Sequence, residues 1–123
     1  MKFRFRLASL AGAVALAGAS LLATGGQANA AYSECPAGAL CAYVGANGAG
    51  SPGPVYDDNT NLQQYTKFAN VVSLYNHGNN CNVRIYYGLS YTGANYVLAR
   101  GYANDDLTGY VWYHHVYSND WCV

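Results

Sequence analysis

One stretch of this chain is written twice. Cys41-Ala-Tyr43-Val-Gly-Ala-Asn-Gly-Ala-Gly50 aligns with Arg84-Ile-Tyr86-Tyr-Gly-Leu-Ser-Tyr-Thr-Gly93, placing Tyr43 and Gly50 on Tyr86 and Gly93 at an offset of 43. Asn61-Leu62-Gln-Gln-Tyr65 falls on Asp106-Leu107-Thr-Gly-Tyr110 at 45, and Phe68-Ala-Asn-Val-Val72 on Trp112-Tyr-His-His-Val116 at 44. Three matches at nearly one spacing imply two copies of one unit, at about residues 39–78 and 82–122. Each copy has room for four short strands. Repeated units bury against each other the apolar face that neither buries alone, so two such units make one small sandwich with a shared core.

The strand reading comes from local pattern. No window holds a helical period. Tyr, Val, Thr and Asn dominate, with Gly or Asn-Gly punctuation every 8–12 residues, as in short strands joined by turns. Val71–Tyr75, Asn82–Tyr87 and Asn95–Ala99 are strand candidates, and Tyr110–Tyr117 is a fourth. Only Asp57–Gln64 suits a short helical turn.

The N-terminus explains why so small a unit is stable. Lys2, Arg4 and Arg6 precede an apolar run from Leu7 to about Leu22, and Ala28-Asn29-Ala30 follows. A basic start, an apolar run and an A-x-A site predict a secretory signal peptide over residues 1–30. The run is shorter than the roughly 20 apolar residues of a membrane span. Cleavage leaves 93 of the 123 residues as one domain, 31–123, expected to be secreted, extracellular, monomeric and free of the membrane. A domain of that size is often stapled. All four cysteines, Cys35, Cys41, Cys81 and Cys122, fall within it, and an even count in an exported chain predicts two disulfides. Of three pairings, the turn residues between Cys35 and Cys41 favour a local bridge, which leaves Cys81 with Cys122. Zinc ligands come as C-x2–4-C pairs, and none is present.

Cleavage also changes the charge. Three of the six basic residues leave and all six acids stay, for a net charge of −3. Lys67, Arg84 and Arg100 are too few and too scattered to neutralise phosphates. Nucleic acid is therefore rejected as a partner, and an anionic membrane with it.

The second copy contains Tyr86-x4-Tyr91-x-Gly93, which resembles the [FYW]-x4-[FYW]-x-G signature of βγ-crystallin Greek-key motifs. The aromatics pack on a folded-over hairpin, and the glycine takes a conformation that side chains disfavour. The first copy has Gly48 in place of the second aromatic, so its hairpin is expected to be looser. The opening Cys35-Pro36-Ala37-Gly38 to Leu40-Cys41 and the strand Asn82–Gly88 are similar to a family of secreted peptidase inhibitors, typified by the Streptomyces metalloproteinase inhibitor. The resemblance implies an all-β fold of two Greek-key motifs forming a βγ-crystallin-like sandwich, stapled by two disulfides. It also implies a non-catalytic protein that blocks an extracellular metalloprotease by presenting a rigid loop to the active cleft. The type inhibitor braces its reactive loop with a short-range disulfide; here Cys81 has no near partner, so the resemblance transfers a fold and not a reactive bond. The candidate inhibitory loop is Cys81–Asn95, with Cys81, Asn82, Val83, Arg84, Gly88, Leu89, Ser90 and Tyr91 as its site residues. Gly45–Pro54 is the second candidate. The alternative is a non-inhibitory extracellular βγ-crystallin-type protein that binds Ca2+ or a cell-surface partner, a class that includes the killer-toxin-like members of the fold.

Nothing marks an enzyme. His77, His114 and His115 are the only histidines, and G-x-S-x-G and H-E-x-x-H are absent. The pairs Asp57-Asp58 and Asp105-Asp106 are adjacent residues, which point apart in a strand and make no acid/base couple; solvated turns are their simplest use. No cofactor is expected. For Ca2+, the Asn/Asp-Asn/Asp-x-x-Ser/Thr-Ser pattern survives only as Asn70 and Ser73, a candidate for weak calcium binding, since Ca2+ takes six to eight oxygens. Trp112-Tyr113-His114-His115 reads as an aromatic strand with one face on the core. The chain has thirteen tyrosines, a residue that gives contact area at low entropy cost. Tyr87, Tyr91 and Tyr96 are expected to be partly exposed.

Overall fold

A computed structural model describes residues 26–27 and 30–123. The expected leader, residues 1–30, otherwise lies outside the described residues. Among the described residues, eight strands run as β1 (Gly26–Gln27), β2 (Leu40–Tyr43), β3 (Gly53–Val55), β4 (Ser73–Asn76), β5 (Val83–Tyr86), β6 (Asn95–Leu98), β7 (Tyr102–Asn104) and β8 (Ser118–Trp121). They form two antiparallel sheets, ordered β1-β7-β4-β2-β3 and β6-β5-β8.

The copies exchange strands. β7 belongs to the second copy by sequence but pairs with β4 of the first, Leu74 opposite Asn104. Reciprocally, Asn59 of the first copy bridges Asn119 on β8. Each sheet therefore takes a strand-like segment from the other copy, which locks the Greek keys together.

Burial follows the period-2 rule where a strand has one wet face. On β5, Val83 and Ile85 point inward while Arg84 and Tyr86 point out. The main core joins Leu40, Ala42 and Leu74 of the larger sheet to Val83, Ile85 and Leu98 of the smaller, with Leu62, Phe68, Leu107, Trp112 and Val116 from the connections. β2 is buried throughout because residues 30–39 fold over the outer face of the larger sheet. Tyr32, Cys35, Ala39, Cys41, Tyr43 and Ala103 form a second cluster there. The Cys35–Cys41 disulfide pins this flap, and Cys81–Cys122 ties the start of β5 to the end of β8.

Two local expectations are corrected. Tyr110–Tyr117 is not a strand. Amides of Tyr110, Tyr113 and His115 donate to carbonyls three residues back, and His114 has φ +56°, so the segment runs as successive turns. The last strand is the polar Ser118–Trp121, whose pairing with β5 overrides its weak strand propensity. The short helical turn occurs at Leu62–Gln64, capped by Asn61, and a four-residue helix, α1 (Thr66–Ala69), follows it outside the expected window. Phe68 anchors α1 in the core. No helix among the described residues is long and apolar enough to cross a membrane.

Candidate functional site

The hairpin between β5 and β6 is exposed and held by a serine clamp and backbone bonds. The Ser118 hydroxyl donates to the Gly88 carbonyl at 2.6 Å and accepts from the Tyr91 amide at 3.0 Å. Thr92 Oγ1 donates to the Leu89 carbonyl at 2.6 Å. The Gly88 amide donates to the Thr92 carbonyl, and the Ser90 amide to the Thr60 carbonyl, both at 2.9 Å. Ser90 and Tyr91 take φ +53° and +62°, a region costly for side-chain-bearing residues unless the surroundings fix it. These five bonds fix it here. Tyr91 lies against Tyr86 with ring centroids 5.6 Å apart. Burial and then the Asp120 carboxylate raise the Tyr86 hydroxyl above its usual range. The Tyr91 hydroxyl is raised by burial, Asp58 and Asp120. Leu89, 46% exposed, stands at the tip.

The first copy repeats this geometry. Ser73 Oγ donates to the Gly45 carbonyl at 2.7 Å and accepts from the Gly48 amide at 3.0 Å. Asn47 and Gly48 take φ +57° and +74°. The expected looseness of this hairpin is not found, because Tyr32 fills the place of the missing aromatic. Its ring meets Tyr43 edge-on at 5.4 Å. A Cβ on Gly48 would stand 2.8 Å from two carbons of that ring. Gly48 thus vacates space that a residue from outside the repeat occupies. The Tyr32 hydroxyl donates to Asp105 at 2.6 Å; burial and then Asp105 push its pKa far up. Burial, then Glu34, push Tyr43 up to about 12.

Beside the second hairpin stands an aromatic wall. His115 lies between Tyr87, at 3.7 Å, and Tyr117, at 4.1 Å, both stacked. Tyr87 also meets Trp112 edge-on. Tyr110, Val111 and Tyr113 are exposed on the same connection, and His114 stacks on Tyr113. Trp112 and Val116 turn into the core. Hairpin tip and wall together offer a mixed apolar and hydroxyl surface without Lys or Arg.

The candidate residues are divided between the two ends of the smaller sheet. Gly88, Leu89, Ser90 and Tyr91 form the hairpin. Cys81 and Asn82 lie at the opposite end of β5, roughly 20 Å away along an extended strand. Val83 is fully buried between them, and Arg84, on the outer face, donates to Asn95 Oδ1 at 2.8 Å. In Gly45–Pro54, Gly48 is buried and Ser51 is held by Lys67 Nζ through its carbonyl and hydroxyl. Asn70 is exposed with its amide on the Thr66 carbonyl; Ser73 is buried with its hydroxyl committed to the first hairpin. Among the described residues, no three His, Cys, Asp or Glu side chains are grouped to hold a metal ion. Asp105 accepts from Tyr32, and the Thr108 side chain and amide hold Asp106 below the usual carboxylate range. Tyr87 and Tyr91 are exposed, and Tyr96 is partly exposed while packing on Trp112 and bonding Asn104. Ser118, Thr92 and Thr60 were not singled out by sequence. The Ser73–Ser118 match, 45 residues apart, was the available signal.

The profile of peptidase inhibitor family I36 matches residues 28–98. No curated protein matches the chain significantly. Several solved structures share its fold. A structure described under the evolution of the eye lens βγ-crystallin domain fold has 20% identity and TM-score 0.62, covering 72% of this chain and 90% of its own. The Schistosoma mansoni egg protein IPSE/alpha-1 has 21% identity and TM-score 0.55, covering 69% and 84%. A βγ-crystallin from Ciona intestinalis has 13% identity and TM-score 0.55, covering 68% and 98%. The chain has the βγ-crystallin fold.

Proposed function

The chain belongs to peptidase inhibitor family I36, and from that premise we propose that it is a secreted inhibitor of an extracellular metalloprotease that presents Gly88–Gly93 to the active cleft. Export follows cleavage after Ala30, and the mature protein acts as a monomer without catalysis of its own. The observation that carries the loop assignment is its bracing. Five hydrogen bonds and one tilted aromatic contact hold a tip on which Leu89 is 46% exposed. A loop ordered before docking loses little entropy on binding.

The tip sequence Leu89-Ser-Tyr-Thr92 carries no basic residue. A trypsin-like pocket with its buried acid finds nothing to pair with there. An enzyme with an apolar primary pocket suits Leu89, and the family's type inhibitor points to metalloproteases among those. The test is titration of the secreted protein against thermolysin-like and serine proteases. Inhibition of the metalloenzyme is expected, and Leu89→Asp should weaken it at least about tenfold, the scale of one lost apolar side chain. No inhibition of any protease at micromolar protein would refute the function. Full inhibition by the Leu89→Asp variant would refute the loop.

A further inference from the structure

At the end of the molecule away from the hairpin is an open groove of about 540 Å³, inside the range of roughly 300–1,000 Å³ typical of small-molecule sites. Tyr56, Asp57, Asp58, Asn79, Asn80 and Trp121 line it, above the Cys81–Cys122 disulfide. We infer that this groove is a binding site for a neutral carbohydrate, one or two sugar units of a polysaccharide chain.

The backbone of the groove is spent on itself. The Asp57 carbonyl accepts from Asn59 Nδ2 at 2.7 Å, Trp121 Nε1 at 3.2 Å and Asn119 Nδ2 at 3.3 Å. Arg100 Nε donates to the Gly78 and Asn79 carbonyls at 3.0 and 2.7 Å, and the Arg100 amide to Asn82 Oδ1 at 3.1 Å. Gly78 is required: a Cβ there would stand 2.7 Å from the Trp121 ring. The walls are therefore rigid.

The side-chain tips are unspent. The Asp57 carboxylate, the Asn79 and Asn80 amides and the Tyr56 hydroxyl make no hydrogen bond within the described protein, and Asp58 uses one oxygen, accepting from the Trp121 amide at 2.8 Å. Fixed walls with free donors and acceptors make a preorganised polar site. Its composition selects the ligand. Vicinal hydroxyls of a sugar both give and accept hydrogen bonds, and here carboxylates accept while amides donate. The apolar face of the ring suits Tyr56, which is 54% exposed, and Trp121. A phosphate or other anion would face two carboxylates. A lysine or arginine side chain would leave both amide donors unmatched. A calcium ion needs more oxygens than the acids supply.

The test is titration of the secreted protein with cellohexaose and with chitohexaose, followed by NMR at the Trp121 indole N–H and the Asn79 and Asn80 side-chain amides. Saturable shifts are expected with at least one sugar below about 10 mM. Tyr56→Ala and Asn80→Ala, both at exposed positions, should each weaken binding about tenfold without changing the melting temperature. Leu89→Asp should leave it intact, which separates this site from the inhibitory hairpin. Silence with both sugars at about 10 mM overturns the assignment. So does unaltered binding by both groove variants, and so does a response to trilysine with none to sugar, which would make the groove a site for basic peptide.

Discussion

Replacing Tyr32 by alanine removes the side chain that completes the first hairpin. The ring is 1% exposed, meets Tyr43 at 5.4 Å and Tyr75 at 5.2 Å, and donates its hydroxyl to Asp105 at 2.6 Å. Truncating a buried aromatic costs about 3–5 kcal/mol, a large share of the about 5–15 kcal/mol that holds a domain folded. Tyr32→Phe keeps the edge-on and tilted ring contacts and loses one bond to a carboxylate, about 1.5–3 kcal/mol, or a melting temperature roughly 10 °C lower in a domain this small. Gly48→Ala destabilises for two reasons, φ +74° and a Cβ 2.8 Å from the Tyr32 ring. In a Tyr32→Ala background the ring clash is gone, leaving φ and a 3.2 Å approach to the Ala31 carbonyl, so the double variant should be about 1 kcal/mol or more stabler than the sum of the singles predicts. Urea unfolding followed by fluorescence and by circular dichroism measures all four proteins. A Tyr32→Ala cost below about 1 kcal/mol, or strict additivity with Gly48→Ala, would refute the role given to Tyr32.

Alkali should destabilise the protein. Tyr43 ionises near 12 when folded and near 10 when exposed. The unfolded chain therefore loses its proton first, and stability is complete below pH 10 and falls from there toward 12, by about 2–3 kcal/mol from this group; loss of structure should bring a further step in tyrosinate absorbance as buried tyrosines ionise, and ionisation of every tyrosine near pH 10 with the fold intact would contradict it. Replacing Cys81 and Cys122 by serine opens a link spanning 41 residues, worth about 4 kcal/mol in the chain-entropy model; a thermal melt reads the loss, and an unchanged melt counts against it. Ser118→Ala and Ser73→Ala each strip a buried clamp, for about 1–3 kcal/mol, but only Ser118→Ala should weaken protease inhibition sharply; equal effects on inhibition would take the active hairpin away from Gly88–Gly93.

Much of the fold was legible because the repeat is carried by the residues that make each hairpin. Tyr43 and Tyr86, at offset 43, hold equivalent places in β2 and β5. Val83 and Ile85 alternate with Arg84 and Tyr86 as a half-buried strand requires. Tyr110–Tyr117 misled because its aromatic and branched residues favour strands by local propensity, which tertiary contacts override here. Its turns are fixed by contacts with distant parts of the chain, among them the His114 amide on the Val71 carbonyl. Ser118–Trp121 was missed for the converse reason: its polar residues become a strand only because β5 lies beside them. Of the candidate loop, the part near Tyr91 was legible through the hairpin signature. The grouping of Cys81 with Leu89 in one loop does not hold, because the strand Val83–Tyr86, itself legible in sequence, sets them at opposite ends of the smaller sheet.

The sequence by itself determined the two-copy β architecture, the even set of cysteines and the acidic balance of residues 31–123, because these rest on composition and local period. Only the tertiary structure decided that the copies exchange strands, that Tyr32 stands in for an aromatic missing at Gly48, and that Asp57, Asn80 and Trp121 share a groove. Each of these joins residues far apart in the chain, and such contacts form only once the chain has closed on itself and burial has compensated the entropy of closure.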